Sequence, residues 1–204
     1  MHHGGVNPLE MPPFDVLILA GGAGRRMDGV DKADLEVGGI RLIDRVVEAG
    51  SDAGRIVCVG PRRPTRAPVT WTREEPAGGG PAAAVAAGLA LVTAPRVVLL
   101  AVDLPFVNRA LIQRLLRATT ERRAAIAIDD GDRIQPLLGC YPVGLLRGET
   151  NRSDTRDASM MGLIKDVPHV TVAAGTQARD CDTWDDLEEI DLSSRGGEHG
   201  RSLA

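Results

Sequence analysis

The segment LAGGAGRRMDGVDK, Leu19 to Lys32, leaves an apolar run directly into glycines and then delivers three cations. Glycine allows positive φ and close backbone approach, so consecutive amides can turn toward phosphate oxygens. Arg25, Arg26 and Lys32 then supply two planar forks and one movable point charge, a mixture suited to a polyphosphate. The same residues also suit a tight strand-to-helix connection with solvated arginines. Two familiar phosphate loops do not match. The dinucleotide fingerprint GxGxxG needs glycine where Met27 follows Gly22 and Gly24, and the pattern GxxxxGK followed by Ser or Thr is absent.

Two aspartates stand where chemistry could use them. Asp103 follows the apolar run RVVLLAV, so its carboxylate emerges at a strand end, where ligands of α/β folds sit. An unpaired carboxylate buried there is costly, and either a bound Mg²⁺ or a loop cap or salt bridge would remove the cost. Asp182 lies in a turn before a helix starting near Asp185, where it is a candidate second Mg²⁺ contact or a helix N-cap, with Thr183 as a competing cap. Gly78, Gly79, Gly80 and Pro81 precede an alanine-rich helix, aiming amides and a positive dipole end toward a ligand or simply allowing close packing.

The elements that must position these residues alternate. Apolar runs at 14–20, 55–60, 96–102, 124–128 and 136–142 are predicted strands, the early ones apolar nearly throughout and so covered on both faces. Helical spacing runs from Ile43 to Ala49 and from Pro81 to Leu91, and Asn108 is placed to cap a helix through Leu111, Leu115 and Leu116. Strand, helix, strand, helix is the order of a layered α/β domain with a mostly parallel sheet. RRPTRAP at 62–68 reads as a loop, and GETNRSDTRDAS at 148–159 as a polar, mobile stretch. One domain over 14–192 is expected, with a flexible leader at 1–13 and a flexible tail at 193–204.

Composition narrows the classes. The 204 residues hold 43% hydrophobic and 25% charged side chains, the balance of a globular protein. A chain of this length buries ~70% of its surface on folding, enough for a sizeable core. A net charge of −4 offers no general attraction to nucleic acid or a membrane surface, so any anion site must be local. No apolar stretch approaches the ~20 residues needed to span a bilayer, and a cytoplasmic location is expected. Cys58, Cys140 and Cys181 are odd in number, without a CxxC pair, and read as core thiols of a reducing compartment. His2, His3, His169 and His199 form no metal-ligand spacing, and His169 reads as an ordinary strand residue. The absence of GxSxG argues against an α/β-hydrolase.

LAGGAGRRMDGVDKADLEVGG resembles the signature of nucleotidyltransferases that activate small phosphorylated acceptors, above all the molybdenum cofactor guanylyltransferase family. EEPAGGGPAAAVAAGL at 74–89, VDLPFV at 102–107, QPLLGCYP at 135–142 and DCDTWDDLEE at 180–189 extend the similarity across most of the chain. The resemblance implies a single-domain, Rossmann-like three-layer nucleotidyltransferase fold with a mostly parallel mixed sheet. It implies transfer of GMP from GTP to the phosphate of a molybdopterin-type acceptor, with Mg²⁺ as cofactor and molybdenum-cofactor-handling proteins as further partners. On this basis Arg26, Lys32 and Asp103 are the expected catalytic residues. Leu19, Ala20, Gly21, Gly22, Lys32, Glu75, Gly80 and Asp103 are expected at the nucleotide, and Asp103 and Asp182 at the metal. Val59 and Gly60 stand where the family often has an asparagine, so any contact there either falls to the backbone or is lost. A related transferase using CTP or another acceptor, and a noncatalytic nucleotide-binding protein, are the alternatives.

Overall fold

The computed structural model describes residues 12–21, 30–181 and 183–189. Of the features expected from sequence, the leader through residue 11, Gly22, Arg25, Arg26, Asp182 and the tail lie outside the described residues.

The first apolar run forms β1 (Phe14–Leu19), buried along its whole length. Val16 and Ile18 enter one hydrophobic cluster and Leu17 and Leu19 another, because successive strand side chains point to opposite faces. Such a strand must be covered twice. One cover is α1 (Leu42–Ala49) with α3 (Arg109–Ala118), and the other is α2 (Gly80–Leu89) with α4 (Val143–Arg152) and α5 (Met160–Ile164). The result is the expected three-layer α/β arrangement.

The remaining strands are β2 (Glu36–Val37), β3 (Ile40–Arg41), β4 (Ile56–Val59), β5 (Thr70–Thr72), β6 (Arg96–Ala101), β7 (Ala124–Ile128), β8 (Ile134–Pro142) and β9 (His169–Ala173). The main sheet has seven strands in the order β5-β4-β1-β6-β8-β7-β9, and β2-β3 form a separate hairpin. Only β8 runs against its neighbours β6 and β7, so the sheet is mixed and mostly parallel.

Asp15 is the one charged residue within β1, and it is 2% exposed. Its Oδ2 accepts from the Thr93 and Ala94 amides at 2.7 and 3.0 Å, which satisfies the carboxylate and ties the loop before β6 to β1. Asn108 caps α3 as expected, its side chain accepting from the Leu111 amide at 3.1 Å. Small residues let α2 lie close to the sheet: a Cβ on Gly88 would run into Leu17 Cδ1 and come within 2.9 Å of Val59 Cγ2.

Three short elements escape the sequence pattern. The two-residue strands of the hairpin and the three-residue β5 are shorter than any periodicity can register. The polar stretch 148–159 meets regular structure at its ends. Its first residues complete α4, Ser159 caps α5, and Asp157 donates its amide to the Gly79 carbonyl at 2.8 Å, docking the loop on the start of α2. Cys58, Cys140 and Cys181 are all buried, and His169 opens β9 as an ordinary strand residue. Among the described residues no helix is long and apolar enough to cross a membrane.

Candidate functional site

Parallel pairing sets Leu19 of β1 beside Val59 of β4 and Ala101 of β6, so the three chains leave the sheet together at one edge. There they border a cleft of about 830 Å³. Leu19, Ala20 and Gly21 form part of its wall, as do Lys32, Gly80 and Asp103. Glu75, also expected here, is exposed and is not part of the wall; its neighbour Glu74 is.

Lys32 and Asp103, 71 residues apart in the chain, meet in this cleft: Lys32 Nζ donates to Asp103 Oδ2 at 2.9 Å. Their side chains are 18% and 22% exposed, open enough for a ligand to reach both. Lys32 begins a 3₁₀ turn, Lys32–Asp34, whose start is capped by the Asp31 side chain accepting from the Ala33 amide at 3.1 Å. Asp103 stands beyond the end of β6, where the Val102 amide donates to the Leu19 carbonyl at 3.1 Å and keeps the exit of β6 against that of β1.

Gly60 explains why no side chain follows β4. Its φ is +147°, and a Cβ there would lie 2.7 Å from the Ala20 carbonyl carbon and 2.8 Å from the Gly21 nitrogen. The backbone after β4 therefore presses directly on the turn after β1, which a larger residue would push away.

The facing wall is built from Arg73, Glu74 and the glycines that open α2. Glu74 Oε1 accepts from the Gly78 amide at 2.9 Å, and Gly78 and Gly80 both have positive φ, at +84° and +85°. These bends bring the first turn of α2, with Gly80, Pro81 and Ala84, to the cleft. Arg73 was not anticipated. It directly follows β5, and a strand of three residues left no signal that position 73 stands at a sheet edge.

The closing segment reaches the same place. Cys181 donates its amide to the Asp103 carbonyl at 2.9 Å, so the residue before Asp182 is fastened to Asp103's backbone. Residues 184–189 are helical, and Thr183 Oγ1 accepts from the Asp186 amide at 3.2 Å while Asp186 Oδ2 accepts from the Thr183 amide at 2.8 Å. Thr183 thus fills the capping role that was open between it and Asp182.

The thiols take no part. Burial pushes the Cys58 thiol up to about 12 and the Cys140 thiol to about 11, so both stay protonated near neutrality. Among the described residues no group of three or more His, Cys, Asp or Glu side chains could hold a metal ion unaided. Asp103 offers a hard carboxylate oxygen beside a cation and a polar cleft. A single hard carboxylate fits a divalent cation of the Mg²⁺ type, which is commonly held by one or two carboxylates together with phosphate oxygens and water.

Residues 16–171 match the family described as the MobA-like NTP transferase domain. Molybdenum cofactor guanylyltransferase of Nitrobacter hamburgensis is 31% identical over 73% of this chain and 76% of its own length. The protein of that name from Cereibacter sphaeroides is 37% identical over 72% of this chain and 78% of its own. Among solved structures, molybdopterin-guanine dinucleotide biosynthesis protein A from Archaeoglobus fulgidus superimposes with a TM-score of 0.68 at 22% identity, covering 89% of this chain and 99% of the other. A 2-C-methyl-D-erythritol 4-phosphate cytidylyltransferase from Thermus thermophilus does so with a TM-score of 0.71 at 23% identity, covering 90% and 99%. With the Lys32–Asp103 cleft on a three-layer mixed sheet and a family match over most of its length, the chain belongs to the MobA-like NTP transferases.

Proposed function

We propose that this protein transfers GMP from GTP to the phosphate of a molybdopterin-type acceptor, forming a guanine dinucleotide cofactor and releasing pyrophosphate. The observation that carries the reading is the Lys32–Asp103 pair at 2.9 Å, where the exits of β1 and β6 open on one cleft. The curated relatives, named molybdenum cofactor guanylyltransferase, support a guanylyl group as the one transferred and the molybdenum cofactor as the class of acceptor.

In this reaction an acceptor phosphate oxygen forms a bond to the α-phosphorus of GTP, and the bond from that phosphorus to the β-phosphate bridging oxygen breaks. The electron pair leaves with pyrophosphate. A phosphate monoester has its second pKa near ~6, so the attacking oxygen is largely ionised at pH 7 and requires no protein base. The protein's work is positioning and charge compensation. Lys32 stabilises negative charge gathering on the phosphates, together with Arg26. The segment from Leu19 to Gly22 serves as the cradle for base, ribose and phosphate, and the first turn of α2 at Gly80 adds its positive end. A carboxylate of the Glu74–Glu75 pair contacts the base or ribose: Glu75 is the one the family resemblance implies, and Glu74 is the one on the cleft wall. Asp103, with Asp182, would hold Mg²⁺, which supplies charge neutralisation across the phosphates when bound. The reducing compartment suggested by the buried thiols fits a cytoplasmic location.

Pyrophosphate release measured with each of the four NTPs, Mg²⁺ and a molybdopterin acceptor tests the proposal. Release with GTP well above the others is expected. Preference for CTP would reassign the base, and GTP binding without turnover would make the protein a noncatalytic nucleotide carrier.

A further inference from the structure

Three arginines stand in the loop 62–68, and one of them is turned inward. Arg62 and Arg66 are exposed, whereas the Arg63 side chain is 7% exposed. Its guanidinium donates to Asp31 Oδ2 at 2.7 Å through one nitrogen and to Asp34 Oδ2 at 3.1 Å through the other, and it lies 5.9 Å from the centre of the Trp71 ring. Asp31 and Asp34 bracket Lys32, so a single fork spans the turn that carries the cleft cation. Arg63 is not part of the cleft wall, while Asp31 and Lys32 are.

The loop that carries Arg63 is itself anchored. Asp44 of α1, 4% exposed, accepts from the Arg66 amide at 2.8 Å and from Arg41 Nε at 2.9 Å, and Arg41 also donates to the Pro64 carbonyl at 2.9 Å. Polar contacts therefore run from α1 through the loop to Arg63 and the two aspartates, and the backbone of their turn carries Lys32 to Asp103. Burial works against the charge on Arg63, yet the Asp31 hydrogen bond and the fields of Asp31 and Asp34 outweigh it and hold its pKa above the ordinary value. Asp34 is also paired with Arg41 at 3.5 Å and lies off the cleft wall, whereas the Asp31 carboxylate on that wall would otherwise repel a polyphosphate.

We propose that Arg63 is a positioning residue with two effects: it fixes the Asp31–Asp34 turn so that Lys32 faces the cleft, and it cancels the negative charge of Asp31 on the cleft wall. The inference rests on the nucleotidyltransferase reading for its kinetic readout, and on the ligand-free protein for its structural one. Lysine is no substitute, since a point charge cannot span two carboxylates in fixed directions.

The test compares the full chain with Arg63→Met, Arg63→Lys and the double variant Arg63→Met/Asp31→Asn, in which asparagine can still cap the turn. Without ligand, hydrogen exchange in Arg63→Met should rise about tenfold at the amides of 31–37 and stay at wild-type rates in β1 and β6. With GTP, KM should rise about tenfold and kcat fall about tenfold, and the double variant should recover KM but not kcat, since it removes the orphaned charge without restoring the turn. Arg63→Lys should resemble Arg63→Met in kcat. Wild-type exchange at 31–37, or a rise spread equally over β1 and β6, would overturn the positioning role. Failure of the double variant to recover KM would overturn the charge-cancelling role. If wild-type protein releases no pyrophosphate from any NTP, the functional reading falls, and exchange at 31–37 still decides whether Arg63 fixes the turn.

Discussion

The two halves of the sheet are built on different plans. From β5 to β6 four strands run in one direction, and their exits deliver Gly21, Gly60, Arg73 and Asp103 to one rim. Beyond β6 the direction reverses in β8, the pairing of β7 with β8 shifts register between Ile126 and Ala127, and Leu137 alone of the described residues in that half reaches the cleft wall. Reversal is what brings Leu137 there: with Leu100 opposite Leu138, the early part of β8 lies beside the late part of β6. Charge and glycine are thus concentrated in the parallel half, where free strand exits and short connections converge. The other half contributes apolar surface and packing.

That contrast is open to attack by mutation. Lys32→Ala and Asp103→Asn should each lower nucleotidyl transfer by about 10²–10⁴-fold in a pyrophosphate-release assay while shifting the melting temperature little, because both side chains are partly exposed. Wild-type turnover in either would remove that residue from the mechanism. Ile126→Ala, in the far half and fully buried, should cost about 2–5 kcal/mol of stability in denaturant titration and leave KM for the nucleotide unchanged. A large change in KM would show that the halves are not separable in this way.

Gly60→Ala sits between these cases. The close approach to Ala20 and Gly21 predicts a stability loss of about 1–3 kcal/mol accompanied by weaker nucleotide binding, since the displaced backbone is the turn itself. Binding and melting measured on one preparation would reveal a purely structural effect. The smallest effect is expected at the thiols. With burial holding Cys58 and Cys140 well above neutrality, both should resist a thiol reagent at pH 8 until the protein unfolds, and their labelling on unfolding should report on stability alone.

Much of the nucleotide half was legible because its signals are local. A run such as FDVLILA can be buried only between two layers, and glycines directly after it mark a backbone free to approach a ligand. Asp103 was recognisable from its place after RVVLLAV. Arg63 was not, because RRPTRAP offers three arginines with equal claims and only packing on Trp71, Asp31 and Asp34 turns one inward. Glu74 and Glu75 are alike in this respect: two adjacent identical side chains differ only in the direction the backbone gives them, and the turn into α2 puts Glu74 on the cleft wall and leaves Glu75 exposed.

Residue order and type by themselves determined the alternation of strands and helices, the burial of β1 and β6 on both sides, and the glycine-rich exit with its cations, since hydrophobic period and backbone freedom are properties of short segments. Strand order, the reversed direction of β8 and the meeting of Lys32 with Asp103 were decided only by the tertiary structure. Those features depend on which distant segments share a neighbour, and only the pairing of β1 with β6 brings Lys32 and Asp103, 71 residues apart in the chain, into a contact that no local pattern encodes.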